Sequence, residues 1–436
     1  MIKFLLLTLV SVPAFSAGII VRTNSKPQEF QANLTRYNIA YNHIYALSMK
    51  LGIYSIEFND VISTDAFKSE VNNLKKVPGI VYTSKINFIK DRSAEVFNED
   101  PWSLGAENKF SSLALEAHKE FGEPKKNRMN QEVVVGIVEG GYADKHTSYD
   151  ENRWVNTAEI PGNNVDDDKN GIVDDVYGLE GNISGHTTHV AGIMVSKEHG
   201  VAKTAKFISA NYNYFKIQNT TKSAVRAYEY LMALKRRWFL SGGREGANIV
   251  AVNSSFGIDM EDCSKPEYVV WNDVYNEMGK LGILNVVATT NSAVDVDKVK
   301  DIPSTCQSPW VIAVGNINKV GKSMGGYGKE NIDLFSPGTD IVSTIQGNAF
   351  GSKTGTSMAT PHVAGGVGYL YLIADQKFTE WAFIKPDEAA FRMKQIILYS
   401  TSQKAMYLQM NNQSGHFNLQ NAAKLLHGQR INRVEF

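Results

Sequence analysis

The sequence has no surplus of charge of either sign: Lys and Arg number 45, Asp and Glu number 45, and the formal net charge is zero. With no basic field to gather phosphates, nucleic acid and anionic membrane surfaces are not expected partners. Beyond the amino terminus no apolar run is long enough to span a bilayer, so no membrane span is expected. Cysteine is scarce. Only Cys263 and Cys306 occur, and they stand either as one bridge or as two thiols. No internal repeat or low-complexity tract interrupts the chain, which is neither disordered nor fibrous.

What is present suffices for a large core: 43% of the 436 residues are hydrophobic, which suits one large domain with a smaller one, or two to three modest domains. The opening stretch MIKFLLLTLVSVPAFSAG has Lys3, an apolar run from Phe4 and small residues at Ser16 and Ala17. That is the layout of a secretory signal peptide over residues 1–17, and it implies a secreted protein, extracellular or periplasmic. An oxidising compartment favours the bridge between Cys263 and Cys306.

Residues 18–95 read as a small α+β domain, with strands at GIIVRT, YSIEF and GIVYTSKINFI and an amphipathic helix at STDAFKSEVNNLKK. The charged segment KDRSAEVFNEDPWS, residues 90–103, reads as a linker, where a protease would cut. From about residue 100 onward, apolar strand-like runs alternate with helical patterns. Such alternation predicts an α/β fold, a doubly wound and mainly parallel sheet flanked by helices.

Three stretches carry chemistry. VVVGIVEGG, residues 133–141, is a strand apolar on both faces, hence central, with Glu139 at its carboxyl end, where ligands gather in open α/β sheets. A solvent-facing glutamate is the plainer reading. GTSMATPHVAGG, residues 355–366, sets Ser357 at a helix start, where its backbone N–H favours a developing oxyanion; Pro361 is placed in the first turn. The plainer reading is a helix cap. SGHTTHVAGIM, residues 184–194, offers His186 and His189 at the start of an apolar helix, as a base or as structural histidines. No nearby Cys or Glu completes a zinc ligand set around them.

These residues resemble the subtilisin-like serine proteases from near residue 100 to about 427. The family pattern around the nucleophile, GTSMAxPHVAG, is reproduced at residues 355–365; its HGTHVAG pattern is HTTHVAG here, with Thr187 in place of glycine. The acid pattern, an apolar strand and then DTG with a histidine seven residues after the acid, becomes GIVEGG followed by His146. The resemblance implies a Ser-His-Glu triad of Glu139, His186 and Ser357, in the chain order of that family. It implies Asn291 as an oxyanion donor, and Ser255, Phe256, Gly257 and Thr290 as the border of the substrate groove. Residues 18–95 then look like a propeptide that assists folding and inhibits, before a catalytic domain over 96–436.

The activity so implied is peptide-bond hydrolysis of protein or peptide substrates through an acyl-enzyme, with no cofactor in the chemistry. Glu for Asp adds a methylene, which Gly140 and Gly141 can accommodate, and Asp144 is a fallback acid. Thr290, where the family has glycine, should narrow the specificity pocket and select small or short side chains before the scissile bond. These departures keep a second reading open, an inactive relative that binds peptides through the same groove. Finally, NNVDDDKNGIVDD, residues 163–175, resembles the first half of a calcium loop, with Asp166, Asp168 and Asp174 as ligands of a structural Ca2+; a solvated acidic turn is the alternative.

Overall fold

The structure, a computed structural model, describes residues 18–58, 64–86, 89–92, 94–96, 102–215, 220–402, 404–408, 410 and 415–431. The signal-peptide reading of residues 1–17 lies outside them. Two units divide the chain between Ile86 and Asn87.

The first unit contains β1 (Gly18–Thr23), α1 (Pro27–Arg36), β2 (His43–Ser48), β3 (Ile53–Glu57), α2 (Thr64–Leu74) and β4 (Ile80–Lys85). Its strands form an antiparallel sheet in the order β2-β3-β1-β4. Ile19 and Val21, two residues apart on β1, face Phe30 and Leu34, one turn apart on α1, and these close a core with Ile56 and Leu74.

The second unit opens with β5 (Lys90–Asp91), β6 (Ala94–Val96) and α3 (Ala114–Phe121). There follow β7 (Val134–Glu139), β8 (Gly178–Leu179), α4 (Gly185–Val195), β9 (Lys206–Asn211), α5 (Thr221–Leu240) and β10 (Ile249–Ser254). Next come β11 (Phe256–Asp259), α6 (Val269–Lys280), β12 (Leu284–Ala288), α7 (Val296–Val299), β13 (Asp301–Ile302) and β14 (Val311–Ile317). Then β15 (Leu334–Pro337), β16 (Ile341–Ile345) and β17 (Ala349–Thr354) lead into α8 (Thr356–Ile373).

Seven strands form one parallel sheet in the order β15-β14-β12-β10-β7-β9-β8, as the alternating pattern predicts. β7 is buried along its whole length, and Gly136 lets α5 approach closely: a Cβ there would lie 2.9 Å from Leu231. The chain runs from β7 to β9 on one side and continues from β10 on the other, so the strand order reverses beside β7. That reversal leaves a crevice at the carboxyl ends of β7 and β10, where Glu139 and Ser255 lie. α8 is buried on all faces, which explains why its sequence is apolar all round.

One local expectation changes. The 90–103 stretch is not all free linker, because Lys90–Asp91 pairs with β11 and Ala94–Val96 pairs with β17. The residues of these two pairings belong to the second unit, which begins at Asn87. Cys263 and Cys306 are joined as a disulfide. No helix among the described residues is long and apolar enough to cross a membrane.

Candidate active site

Glu139 ends β7, and the turn after it runs tight against its neighbours. A Cβ on Gly140 would lie 2.8 Å from the Tyr212 hydroxyl, and one on Gly141 would lie 2.4 Å from Ser184. Ser184 caps α4 by accepting from the Thr187 N–H, so His186 emerges in the first turn beside that carboxylate. Nδ1 of His186 lies 3.2 Å from Oε2 of Glu139, an ion-pair approach in which the ring N–H is not aligned as a hydrogen bond. The Ser255 N–H donates to the other oxygen, Oε1, across 3.2 Å. Thr187 braces the arrangement, its hydroxyl donating to the Gly141 carbonyl.

Both partners are buried, Glu139 to 1% exposure. Burial pushes the Glu139 carboxyl up, against the opposing pull of His186. Burial also disfavours charge on His186, but the Glu139 charge and contact outweigh it and hold the imidazole above its ordinary value.

Ser357 is the second residue of α8. Its hydroxyl donates to the Ser255 carbonyl at 2.9 Å and accepts from the Arg92 N–H at 3.1 Å, while Nε2 of His186 has no hydrogen-bond partner. The Ser357 N–H donates to the Arg92 carbonyl at 3.2 Å. Asn291 presents its carboxamide from the loop after β12, with Oδ1 accepting from Thr356 N–H and hydroxyl at 2.9 and 3.0 Å. That fixes the amide so that Nδ2 is its remaining donor end. Pro361 lies inside α8 beyond the first turn, and its missing N–H is the one that would have bonded the Ser357 carbonyl. Ser255 supplies the replacement, its hydroxyl donating to Ser357 O at 3.1 Å.

The groove is filled by the chain itself. β5 runs antiparallel to β11, with Asp91 opposite Phe256 and Lys90 opposite Gly257. Phe256 contributes backbone only, since its ring packs on Tyr212 and Trp271. Thr290 is buried, and its hydroxyl accepts from the Ser292 N–H. A long side chain, that of Arg92, fills the pocket and reaches Asp301. Space for it comes from Gly257, where a Cβ would fall 1.7 Å from the Arg92 guanidinium. Sequence reasoning missed both Arg92 and Asp301; the one available signal was an acidic residue in the otherwise apolar and small DIPSTC stretch.

Other candidates are structural. Nε2 of His189 contacts the Gly351 carbonyl at 3.1 Å, and burial pushes its imidazole down to about 3. The Asp144 carboxylate accepts from the Lys145 and Gly347 N–H groups. Of the proposed calcium ligands, Asp166 and Asp168 come together, joined by Glu159, with one oxygen from each within 4.8 Å of the others. Asp174 is not part of that cluster; it accepts from the Gly162 and Asn164 N–H groups. Glu159 is 5% exposed and its Oε2 has no hydrogen-bond partner. Three carboxylates face one guanidinium, Arg237 at 3.6 Å from Asp168, so negative charge predominates there.

A family model described as Subtilase family matches residues 130–418. Alkaline protease 1 of Aspergillus clavatus is 33% identical over 190 residues, which cover 43% of this chain and 42% of that protein. The chain thus spans less than half the length of that relative. The subtilase-type proteinase isp6 of Schizosaccharomyces pombe is 24% identical over 368 residues, 80% of this chain and 71% of isp6. Among solved structures, the epidermin leader peptide processing serine protease of Staphylococcus aureus superposes with a TM-score of 0.63 at 15% identity, covering 94% of this chain and 99% of that one. Fervidolysin of Fervidobacterium pennivorans, a keratinolytic enzyme related to subtilisin, gives 0.60 at 16% identity, covering 94% and 61%. At these identities the structural likeness speaks for the fold.

Proposed function

Because this chain belongs to the subtilase family, we propose that it is a secreted serine endopeptidase that hydrolyses peptide bonds through an acyl-enzyme, with Ser357, His186 and Glu139 as nucleophile, base and acid. The observation that carries the reading is a peptide carbonyl, that of Arg92, held on the Ser357 N–H while the Ser357 hydroxyl lies beside the same residue.

In this reading the hydroxyl exchanges its bond to the Ser255 carbonyl for one to Nε2 of His186 and attacks the carbonyl carbon. His186 takes the proton and returns it to the leaving amine. Glu139 fixes the Nδ1–H tautomer and stabilises the imidazolium, and the Ser255 N–H fixes the carboxylate in turn. The oxyanion is met by the Ser357 N–H and the Asn291 amide; one such donor is worth about 3 kcal/mol in the transition state.

Two further roles belong to the proposal. Residues 18–95 act as the propeptide of a zymogen, both folding helper and inhibitor. Glu159, Asp166 and Asp168 hold a structural Ca2+, supported by their excess negative charge and the unpartnered buried oxygen of Glu159. The ion stabilises the loop and takes no part in hydrolysis.

A fluorophosphonate probe tests the catalytic reading. Labelling that maps to Ser357 and is lost in Ser357→Ala is the expected result; a folded chain that never reacts would favour a peptide-binding relative without catalysis.

A further inference from the structure

We propose that this protein is an arginine-directed endopeptidase that recognises the residue before the scissile bond through Asp301, and that the bond following Arg92 is its own processing site; this rests on the serine-protease reading above.

The inference comes from how one side chain is received. Arg92 is 1% exposed, and its guanidinium is engaged on several sides. Nη1 donates to Asp301 Oδ2 at 2.9 Å and to the Ala288 carbonyl at 2.7 Å; Nη2 donates to Asp301 Oδ1 at 2.6 Å and to the Ile302 carbonyl at 3.0 Å. This is the two-pronged geometry in which a planar guanidinium matches a carboxylate. The Asp259 carboxylate adds a second negative charge 3.6 Å from Nη2. Asp301 is fully buried and held in place by the hydroxyls of Ser304 and Thr289, at 2.6 and 3.3 Å. A buried carboxylate with only hydroxyl partners of its own is incomplete until a cation enters.

The same residue has its backbone where a scissile bond belongs. The Arg92 carbonyl oxygen sits on the Ser357 N–H, and its N–H meets the Ser357 hydroxyl. On the amino side of that bond β5 pairs with β11, and on the carboxyl side β6 pairs with β17. Both flanks are thus held as added strands, a general mode of peptide recognition. A mere tether for a linker would not require the linker's carbonyl on the nucleophile's N–H.

The reaction is balanced by water. Ser357 Oγ bonds to the Arg92 carbonyl carbon and passes its proton to His186 Nε2, which delivers it to the amine of the following residue as the peptide C–N bond breaks. Water then attacks the Arg92 ester, giving up a proton through His186. An Arg92 carboxylate and free Ser357 result.

The test uses the full chain. Wild type should yield a product beginning immediately after Arg92, and Ser357→Ala should remain uncut there; Arg92→Leu should slow that cut by about 10²-fold or more. On peptides varied only before the scissile bond, the processed enzyme should prefer Arg to Leu by about 10³-fold in kcat/KM and Arg to Lys by about 10-fold. Asp301→Asn should collapse the Arg to Leu ratio. An enzyme that labels and cuts but prefers apolar residues overturns the arginine proposal and leaves the serine-protease reading standing. Absence of both labelling and hydrolysis overturns both. The wild-type preference decides the matter even where Asp301→Asn fails to fold.

Discussion

Glu139 and His186 meet at 3.2 Å between Oε2 and Nδ1, the carboxylate being carried by a glutamate side chain from the last residue of β7. The second oxygen is already claimed by the Ser255 N–H. Restoring the family's usual aspartate should therefore harm the enzyme. Glu139→Asp withdraws the carboxylate by about 1 Å and should lower kcat/KM by about 10²-fold. Steady-state kinetics on a peptide with Arg before the cut would check it, and a gain in rate would count against this geometry.

The pH dependence follows from the same pair. A protonated His186 cannot accept the Ser357 proton, so activity rises with pH as the imidazole loses its proton. Because Glu139 holds that imidazole above its ordinary value of 6.5, the acid limb of kcat/KM should lie on the alkaline side of it. In Glu139→Gln the raising influence disappears and burial, which favours the neutral ring, remains. The limb should then move to lower pH while kcat falls by about 10⁴-fold. Asp91 and Lys353 also act on the ring, in opposite directions. A pH–rate profile of both forms is the measurement, and an unmoved limb would contradict the assignment.

Gly257 offers a steric test of the pocket. An added Cβ would lie 1.7 Å from the guanidinium and 2.4 Å from the Ile302 carbonyl. Gly257→Ala should cut hydrolysis after Arg by about 10²-fold or more, with a much smaller loss after Ala. Equal losses for both substrates would mean that Gly257 serves the strand pairing alone.

The acidic loop predicts a calcium-linked stability. Adding chelator to the processed protein should lower Tm, and Ca2+ should restore it, by mass action on the folded state. Glu159→Gln should abolish the effect and Asp174→Asn should preserve it, because the Asp174 carboxylate is spent on the Gly162 and Asn164 N–H groups. Differential scanning calorimetry with and without chelator distinguishes these outcomes.

Much of this architecture was legible in the residues. A run apolar on both faces placed Glu139 at the end of a central strand, and the small and apolar stretches after Ser357 and His186 marked buried helices. Short-range pattern carries that information. The pocket was not legible, because it is assembled from Gly257 on β11, Asp301 on β13 and Arg92 beside β5, and no local pattern reports their meeting. The strand pairings of 90–96 were hidden by a charged composition that reads as linker, since strand addition uses backbone groups.

The central claim is that Glu139, His186 and Ser357 act as one unit. Turnover by Ser357→Ala, His186→Ala, Glu139→Gln and the triple variant, measured side by side on one substrate, tests it most directly. The first two single variants should each fall as far as the triple, on the order of 10⁶-fold. A triple variant far slower than either, or a His186→Ala enzyme that keeps most of its rate, would contradict it.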